Sequence, residues 1–395
     1  MQKINLIVWG TGAYVCGSKN DNNDFGTIVP SIIEYQREHK NLDTIYFLYR
    51  KKNSLLNLKK KISSAKKLSK ISFNTNYIYA DIDSTPYKLD KDFSKIKKIS
   101  AAIIVLPDHL HYKSSNYIIS KKINLLVVKP FTTNLHDGIR LVKQAKKANI
   151  IGAVEFHKRF DSANLMIKSK YLNNEIGDIH SCIVEYSQRK ENLDLFSNWF
   201  DKSNLINYLG VHYIDLLYFI SNATPSRVIA LGCISNYKNK FNYYENISCI
   251  IEWVAQNGNK FNQYLNLGIN DSNHSMAISN QKIKLIGSIG RIESDQTNRG
   301  LYFINDNKNS ELINPYFSKL YLSNSKTINW KGYGIKSINN FILCISSLNS
   351  FKKIEMAANQ FNLTSFKEAL VSTAVIEYAT KSLKEGGKWK KIPKI

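Results

Sequence analysis

The feature that most constrains the fold is a regular alternation of short apolar segments with helical patterns over residues 1–150. Residues 4–9 are an apolar run ending in Gly10-Thr11-Gly12, which predicts a buried strand and a glycine turn. The next helical pattern starts only after a polar stretch at 18–24. Further strands are predicted at 44–49, 76–80, 101–106, 124–128 and 150–155, with helices at 51–70, 111–121 and 135–148. This spacing predicts a doubly wound parallel sheet.

The pattern changes after about residue 178, where strand-like segments follow one another with only one helix, at 205–220. These strands are predicted at 179–186, 227–233, 247–255, 260–267 and 282–285. A C-terminal helix is predicted over 365–383, with Ser365 as its N-cap and Gly386-Gly387 as its stop. We therefore expect an α/β domain over 1–150 and an α+β domain over 151–395, the latter built on a large, mostly antiparallel sheet.

The net charge of +24 raises the alternative of a nucleic-acid or anionic-membrane partner. Lysines spread along the whole chain supply most of this charge, and the densest run, 51–70, keeps an apolar helical face. We expect a surface helix there, and neither nucleic acid nor membrane as a partner. The five cysteines are scattered without metal-ligand spacing, and the chain begins directly in a strand. These features predict reduced thiols, no metal and a cytoplasmic location.

The glycine turn is a candidate cofactor site. Gly10 and Gly12 match the first two glycines of the GxGxxG pattern, whereas Val15 occupies the third position. Such a turn can be purely structural, but at the first strand of an alternating chain it predicts a dinucleotide-binding Rossmann domain. The second strand ends in Tyr49-Arg50-Lys51-Lys52 without an acid, which favours NADP(H) over NAD(H). The predicted cofactor contacts in this region are Gly10, Thr11, Gly12, Ala13, Tyr14 and Arg50.

Two further residues are candidates for chemistry. Lys129 follows a predicted parallel strand and precedes Pro130, so its side chain should point into the crevice at the carboxyl ends of the strands. The alternative is an ordinary surface lysine. His212 shares a face of the helix at 205–220 with Tyr208 and Asp215. The alternative for His212 is a core histidine with its hydrogen bonds satisfied.

Several motifs in order along the chain resemble those of the Gfo/Idh/MocA family of sugar dehydrogenases. They are LPDHLH at 106–111, VKP at 128–130, EFHKRF at 155–160, LGVHYIDLL at 209–217 and KLIGSIGRIESDQTNRGL at 284–301. The resemblance implies that Lys129 lies between nicotinamide and substrate and that His212 is a general base or binds a substrate hydroxyl. The chain departs from the family at Val128, where the family has glutamate, and at Tyr208, where it commonly has aspartate.

The same resemblance implies further site residues. Cofactor contacts are expected from Leu106, Pro107, His109, His111, Lys129, Pro130 and Glu155. Substrate contacts are expected from His157, Arg159, Tyr208 and Asp215. Structural roles remain open for His109, His111 and Arg159.

The activity implied is that of a nicotinamide-dependent oxidoreductase, transferring a hydride between NAD(P) and a sugar or nucleotide-activated sugar. The domain 151–395 would then bind substrate, and the open face of its sheet predicts a homodimer or homotetramer. Two alternatives stay open because Val15, Val128 and Tyr208 depart from the pattern. One is a regulatory protein that binds the cofactor without turnover, and the other is an enzyme that retains its cofactor with no net redox change.

Overall fold

A computed structural model describes residues 3–83, 86–96, 99–196, 202–238, 241–324 and 326–395. The chain divides into two compact units. The first comprises residues 1–131, 136–160 and 316–368, and the second comprises 132–135, 161–315 and 369–395. The sequence predicts one boundary near residue 150, whereas 316–368 belongs with the first unit.

The strands are, in chain order, β1 (Ile4–Trp9), β2 (Leu42–Tyr49), β3 (Asn74–Tyr79), β4 (Ala101–Ile104), β5 (Asn124–Val128), β6 (Gly152–Glu155), β7 (Ile179–Arg189), β8 (Thr224–Tyr237), β9 (Phe241–Val254), β10 (Lys260–Asp271), β11 (Ser279–Gly287), β12 (Arg291–Asp295), β13 (Tyr302–Asn305), β14 (Lys308–Leu312), β15 (Lys319–Leu322), β16 (Ile328–Lys331), β17 (Thr364–Ser365) and β18 (Lys390–Lys391).

The α-helices are α1 (Ala13–Cys16), α2 (Ile28–His39), α3 (Lys52–Ser69), α4 (Pro86–Phe93), α5 (His111–Ser120), α6 (Leu135–Ala148), α7 (Ser162–Leu172), α8 (Asn192–Phe196), α9 (Val211–Ser221), α10 (Tyr333–Ser346), α11 (Ile354–Gln360) and α12 (Phe366–Lys384). Among the described residues, no helix is both long and apolar enough to span a bilayer.

The first unit contains a seven-stranded sheet in the order β3-β2-β1-β4-β5-β6-β17. Its first six strands are parallel, and β17 pairs antiparallel with β6 at the edge. The central strands are apolar throughout because both faces of the sheet are covered: all four residues of β4 are buried. This strand order is that of a Rossmann domain, which confirms the predicted fold class.

A short helix, α1, follows the glycine turn directly, whereas the sequence predicts the next helix only after the polar stretch at 18–24. Residues 17–27 form a loop between α1 and α2, and those of its carbonyl groups that are shielded from water need donors. Lys61 supplies them: its ammonium donates to the carbonyl oxygens of Asp21 and Asp24 and lies over the ring of Phe25. Lys61 is only 3% exposed, so this one lysine of the predicted surface helix is buried.

The second unit contains a sheet in the order β12-β11-β7-β10-β9-β8-β18. All its pairings are antiparallel except that of β7 with β10, which confirms the predicted mostly antiparallel sheet. Helices α9 and α12 pack on one face, where Gln263 donates to the carbonyl of Tyr213 and Ser382 accepts from the amide of Ala230.

Two predicted helices can be compared directly with the structure. Ser365 and Glu368 form a reciprocal capping box at the start of α12, which confirms the N-cap. The helix predicted over 205–220 is not uniform, because Ile206–Gly210 is a π-helical turn that continues into α9. Such turns widen the helix by one residue per turn and are frequent at functional sites.

Candidate active site

The glycine turn lies at the carboxyl end of β1. Gly10 has φ of +136°, and a Cβ there would come 2.0 Å from the carbonyl oxygen of Val105, so only glycine fits. A Cβ on Gly12 would meet nothing within 4 Å, so there is open space above the turn. Val15, which replaces the third glycine, is fully buried in the core. The turn thus has glycine at the two positions where a side chain would prevent close approach of the backbone. At the third position, where the helix packs against the core, it has an apolar residue.

Ala13 and Tyr14 follow in α1, and Thr11 donates from Oγ1 to Ser54 Oγ of α3 at 2.9 Å. Arg50 lies just after β2 with about half of its side chain exposed. Its guanidinium is 3.7 Å from Asp81 and 3.4 Å from Asp83, which follow β3. The sequence did not predict these two ion pairs, because Asp81 and Asp83 lie in the loop after the neighbouring strand.

Lys129 follows β5 directly and is partly buried. Burial lowers the pKa of its ammonium to about 8, although the carboxylates of Glu155 and Asp108 act in the opposite direction. Glu155 ends β6, and its backbone pairs with that of Val128. The buried carboxylate of Glu155, on the adjacent strand, therefore stabilises the charged form of Lys129.

Glu155 is only 2% exposed and is held from two directions. Ser337 of α10 donates to Oε1 at 2.7 Å, and Nδ1 of His157 lies 3.2 Å from the same oxygen. Burial by itself would raise the pKa of Glu155, but His157, Ser337 and Lys129 together hold that pKa below its ordinary value. The acid is thus kept ionised inside the first unit.

The imidazole of His157 lies among aromatic rings. Its centroid is 5.0 Å from that of Phe317 and 5.8 Å from that of Tyr333, and the Tyr14 hydroxyl lies 3.5 Å from its Nδ1. Phe317 and Tyr333 come from the late segment 316–368, so the sequence alone could not place them here. Tyr14 itself has its pKa raised well above the ordinary value, by burial and then by Glu155.

His111 is buried and braces two loops. Its Nδ1 lies 2.6 Å from the carbonyl oxygen of Pro130, and its Nε2 lies 2.8 Å from that of Leu106. Burial lowers the pKa of its imidazole. These contacts favour the structural alternative for His111, because they orient the loops carrying Leu106, Pro107 and Pro130. His109 is more exposed, with Nδ1 3.9 Å from Asp108.

Arg159 also has a structural contact. Its guanidinium is 7% exposed and donates to Glu368 at 3.1 Å, the same glutamate that caps α12. The contact ties the turn at 157–160 to the start of α12. It favours the interpretation of Arg159 as a structural anchor.

The second unit carries a separate polar cluster around His212, which is 4% exposed in α9. The ring of Tyr186 on β7 is centred 6.3 Å from that of His212. Tyr208, in the π-helical turn, has its pKa raised by burial and then by Tyr186, and it is hydrogen-bonded to Gln188. Asp215 is 2% exposed, one turn further along α9.

Comparison with known proteins finds a family model that matches part of the first unit. Residues 35–156 match the family model described as the oxidoreductase family with an NAD-binding Rossmann fold, GFO_IDH_MocA. Two curated relatives from Bacillus subtilis (strain 168), glucose-6-phosphate 3-dehydrogenase and scyllo-inositol 2-dehydrogenase (NADP(+)) IolW, are 23% and 24% identical over 33% of this chain. The alignments span 40% and 38% of those relatives' own lengths.

Solved structures extend the likeness to the whole fold. The scyllo-inositol dehydrogenase of Lactobacillus casei, with bound NAD(H) and scyllo-inositol, superposes with a TM-score of 0.68 at 13% identity over 99% of both chains. A myo-inositol dehydrogenase from Corynebacterium glutamicum gives 0.63 at 13% identity over the full length of both. The chain thus resembles the Gfo/Idh/MocA family over residues 35–156 and shares the fold of these dehydrogenases over its whole length. The carboxyl ends of β1, β4, β5 and β6 lie next to one another along one edge of this Rossmann sheet.

Three polar residues around the Gfo/Idh/MocA motifs were not found from the sequence: Ser337, Tyr186 and Gln188. Ser337 belongs to a segment that returns to the first unit after residue 315. Tyr186 and Gln188 both lie on the buried side of β7, where 182, 184, 186 and 188 alternate with more exposed residues. A polar residue on the predicted buried face of a strand is the sequence feature that could have identified Tyr186 and Gln188.

Proposed function

We propose that this chain is an NAD(P)-dependent oxidoreductase acting on the CH–OH group of a sugar or polyol, including nucleotide-activated sugars. The observation that carries the proposal is Lys129, a partly buried lysine at the carboxyl end of a central Rossmann strand, close to an ionised buried acid. A lysine whose pKa is about 8 can carry a positive charge at neutral pH and still lie in a weakly solvated place.

The residues around the glycine turn fit a dinucleotide. The open space above Gly12 leaves room for a pyrophosphate against the backbone, and Arg50 lies at the strand end where the adenosine ribose is bound in Rossmann folds. We propose that Gly10, Thr11, Gly12, Ala13, Tyr14 and Arg50 hold the cofactor, with Leu106, Pro107 and Pro130 beside it. When bound, the nicotinamide supplies hydride acceptance and donation at C4.

We assign the proton and charge steps to two residues. Lys129 donates a hydrogen bond from Nζ to the reacting oxygen and stabilises the negative charge that develops there. His212 accepts the hydroxyl proton as the carbon is oxidised, and returns it in the reverse direction. Tyr208 positions the substrate, because a buried phenol with a raised pKa does not act as a base at neutral pH. The assignment of His212 rests on the motif LGVHYIDLL.

A substrate panel tests the proposal. The purified chain is mixed with NAD⁺ or NADP⁺ and with glucose 6-phosphate, scyllo-inositol or myo-inositol, the classes named by its relatives. We expect reduced nicotinamide to accumulate, and deuterium on the oxidised carbon to appear at nicotinamide C4. Deuterium exchange without net reduction would favour an enzyme that retains its cofactor. Binding without any exchange would favour the regulatory alternative.

Cofactor preference gives a first prediction. We expect the chain to bind NADP(H) more tightly than NAD(H), because Arg50 directly follows β2 and no acid lies between it and α3. Arg50→Ala should weaken NADP(H) binding about 10- to 100-fold, the range for a charge-assisted hydrogen bond, and change NAD(H) binding little. Titration calorimetry measures both. Arg291→Ala is the control, since Arg291 is also exposed and paired with a carboxylate, Glu293. Equal affinity of the unaltered chain for both cofactors would contradict the assignment.

Oligomeric state gives a second prediction. On the sheet face opposite α9 and α12, Ile183, Tyr264, Ile250 and Ile229 stand side by side in register across four strands. Ile183 and Tyr264 are 38% and 40% exposed. This apolar row supports a homodimer or homotetramer. Light scattering after gel filtration should give two or four times the chain mass.

Tyr264→Asp tests whether that row is the contact, because it places a charge in the middle of the row. We expect dissociation, whereas Tyr302→Asp, at an exposed tyrosine outside the sheet, should leave the mass unchanged. A monomeric mass for the unaltered chain would refute the proposal. We also propose a cytoplasmic location, where the five free cysteines would stay reduced.

A further inference from the structure

Val128 precedes Lys129 at the position where the resemblance to the Gfo/Idh/MocA family implies a glutamate. Val128 pairs with Glu155 across the parallel ladder of β5 and β6. Neighbouring strands of a sheet are about 4.8 Å apart, so a side chain that leaves β6 at this point starts one strand spacing from β5. A carboxylate is therefore present at this end of the sheet, on the adjacent strand.

The carboxylate of Glu155 is buried and is held by two neighbouring side chains. It is 2% exposed, accepts from Ser337 Oγ at 2.7 Å and lies 3.2 Å from Nδ1 of His157. An ionised acid with this little exposure costs free energy unless charged or hydrogen-bonding partners compensate it. Ser337, His157 and Lys129 are those partners, and all of them lie in the first unit.

The coupling between Glu155 and Lys129 runs in both directions. Glu155 is the stronger of the two charges that oppose the effect of burial on the pKa of Lys129, and Lys129 in turn lowers the pKa of Glu155. Asp108 also faces Lys129, with a smaller influence on the pKa of that lysine. Without Glu155, less negative charge would stabilise the Lys129 ammonium, and burial would lower its pKa further.

We infer that Glu155 is the positioning residue for Lys129, supplying from β6 a carboxylate that Val128 on β5 cannot provide. The inference deepens the proposed function, in which Lys129 holds the reacting oxygen. Glu155 acts through the lysine: it keeps the ammonium charged and oriented and does not itself contact the substrate. Ser337 and His157 fix the carboxylate in turn.

Glu155→Gln tests this inference, because the amide keeps the size and the acceptor for Ser337 but removes the charge. The probe is acetic anhydride, and the readout is the extent of Lys129 acetylation against pH, measured by peptide mass spectrometry on the cofactor-free protein. A neighbouring opposite charge shifts a pKa by about 1–3 units, so the labelling midpoint should move at least about one pH unit lower. Where turnover is measurable, the alkaline fall of kcat should move by the same amount.

The matched control is Glu34→Gln. Glu34 is also a buried carboxylate of the first unit, paired with Arg37 and accepting from the Trp330 amide, and it has no part in the proposed site. This variant should leave the labelling midpoint of Lys129 unchanged. Thermal unfolding of both variants shows whether each is folded at the temperature of labelling.

A swap of the acid between strands provides a second variant. Val128→Glu combined with Glu155→Gln returns a carboxylate to β5, and we expect the labelling midpoint to move back toward that of the unaltered protein. A midpoint in folded Glu155→Gln that stays within about 0.3 of the unaltered value would overturn the inference, since an opposite charge within about 6 Å shifts a pKa more than that. The labelling needs no substrate, so a shifted midpoint in a protein without turnover would count against the proposed function alone.

Discussion

Lys129→Met should lower turnover by about 10²-fold or more while the protein still folds and binds its cofactor within a few-fold. Methionine keeps the length and apolar stem of the side chain but cannot donate to the reacting oxygen, so the loss falls on the transition state more than on ground-state binding. Single-turnover hydride transfer measures this loss directly, and cofactor titration shows whether binding is retained.

The charge of Lys129 also predicts how the rate depends on pH. Its pKa is about 8, so the ammonium is charged below that pH and loses its proton above it. Because the charged form stabilises the developing oxyanion, kcat should fall as the pH rises through about 8. Lys121→Met is the control, since Lys121 is an exposed lysine of the same unit, paired with Asp90. Normal turnover in Lys129→Met would show that the lysine is only a neighbour of the site.

His212→Asn should lower turnover by about 10²- to 10⁴-fold, the usual cost of removing a general base. Asparagine is of similar size and polar, so α9 should keep its packing. The expected signature is a loss in kcat with cofactor affinity nearly unchanged. Hydride transfer in a single turnover is again the informative measurement.

Tyr208→Phe is the companion variant, because it removes only a hydroxyl from the same polar cluster. We expect a milder loss, since Tyr208 is assigned to substrate positioning. If His212→Asn kept near-normal turnover while Tyr208→Phe abolished it, the proton acceptor would be misassigned.

The sequence predicted the elements that depend on local pattern. The apolar strands at 101–106 and 124–128 and the helix at 135–148 were found because a parallel Rossmann sheet leaves continuous hydrophobic runs and regular helical stripes. The long β-strands of the second unit were predicted, but over shorter ranges than the structure shows. The observed β8 extends over Thr224–Tyr237, whereas the prediction covered 227–233, because its exposed end carries polar residues without strict alternation.

The sequence could not identify the residues with which the charged side chains form hydrogen bonds and ion pairs. Lys61 looks like its neighbours in a lysine-rich helix, and only the loop folded against it makes it a buried donor. Ser337 lies 182 residues after Glu155 in the chain, and Glu368 lies 209 residues after Arg159. No local pattern reports contacts at these separations, since they depend on which segments return to the same unit.

The return of residues 316–368 to the first unit has a consequence for synthesis on the ribosome. Helix α10 carries Ser337 and core residues such as Ile338 and Phe341, yet residues 161–315 must be translated before it emerges. At about 5–20 residues per second this delay is roughly 10–30 seconds. During that interval the nascent Rossmann sheet lacks part of its apolar covering and Glu155 lacks its serine donor. The Rossmann unit of this chain, although it begins at the N-terminus, is therefore completed late in translation.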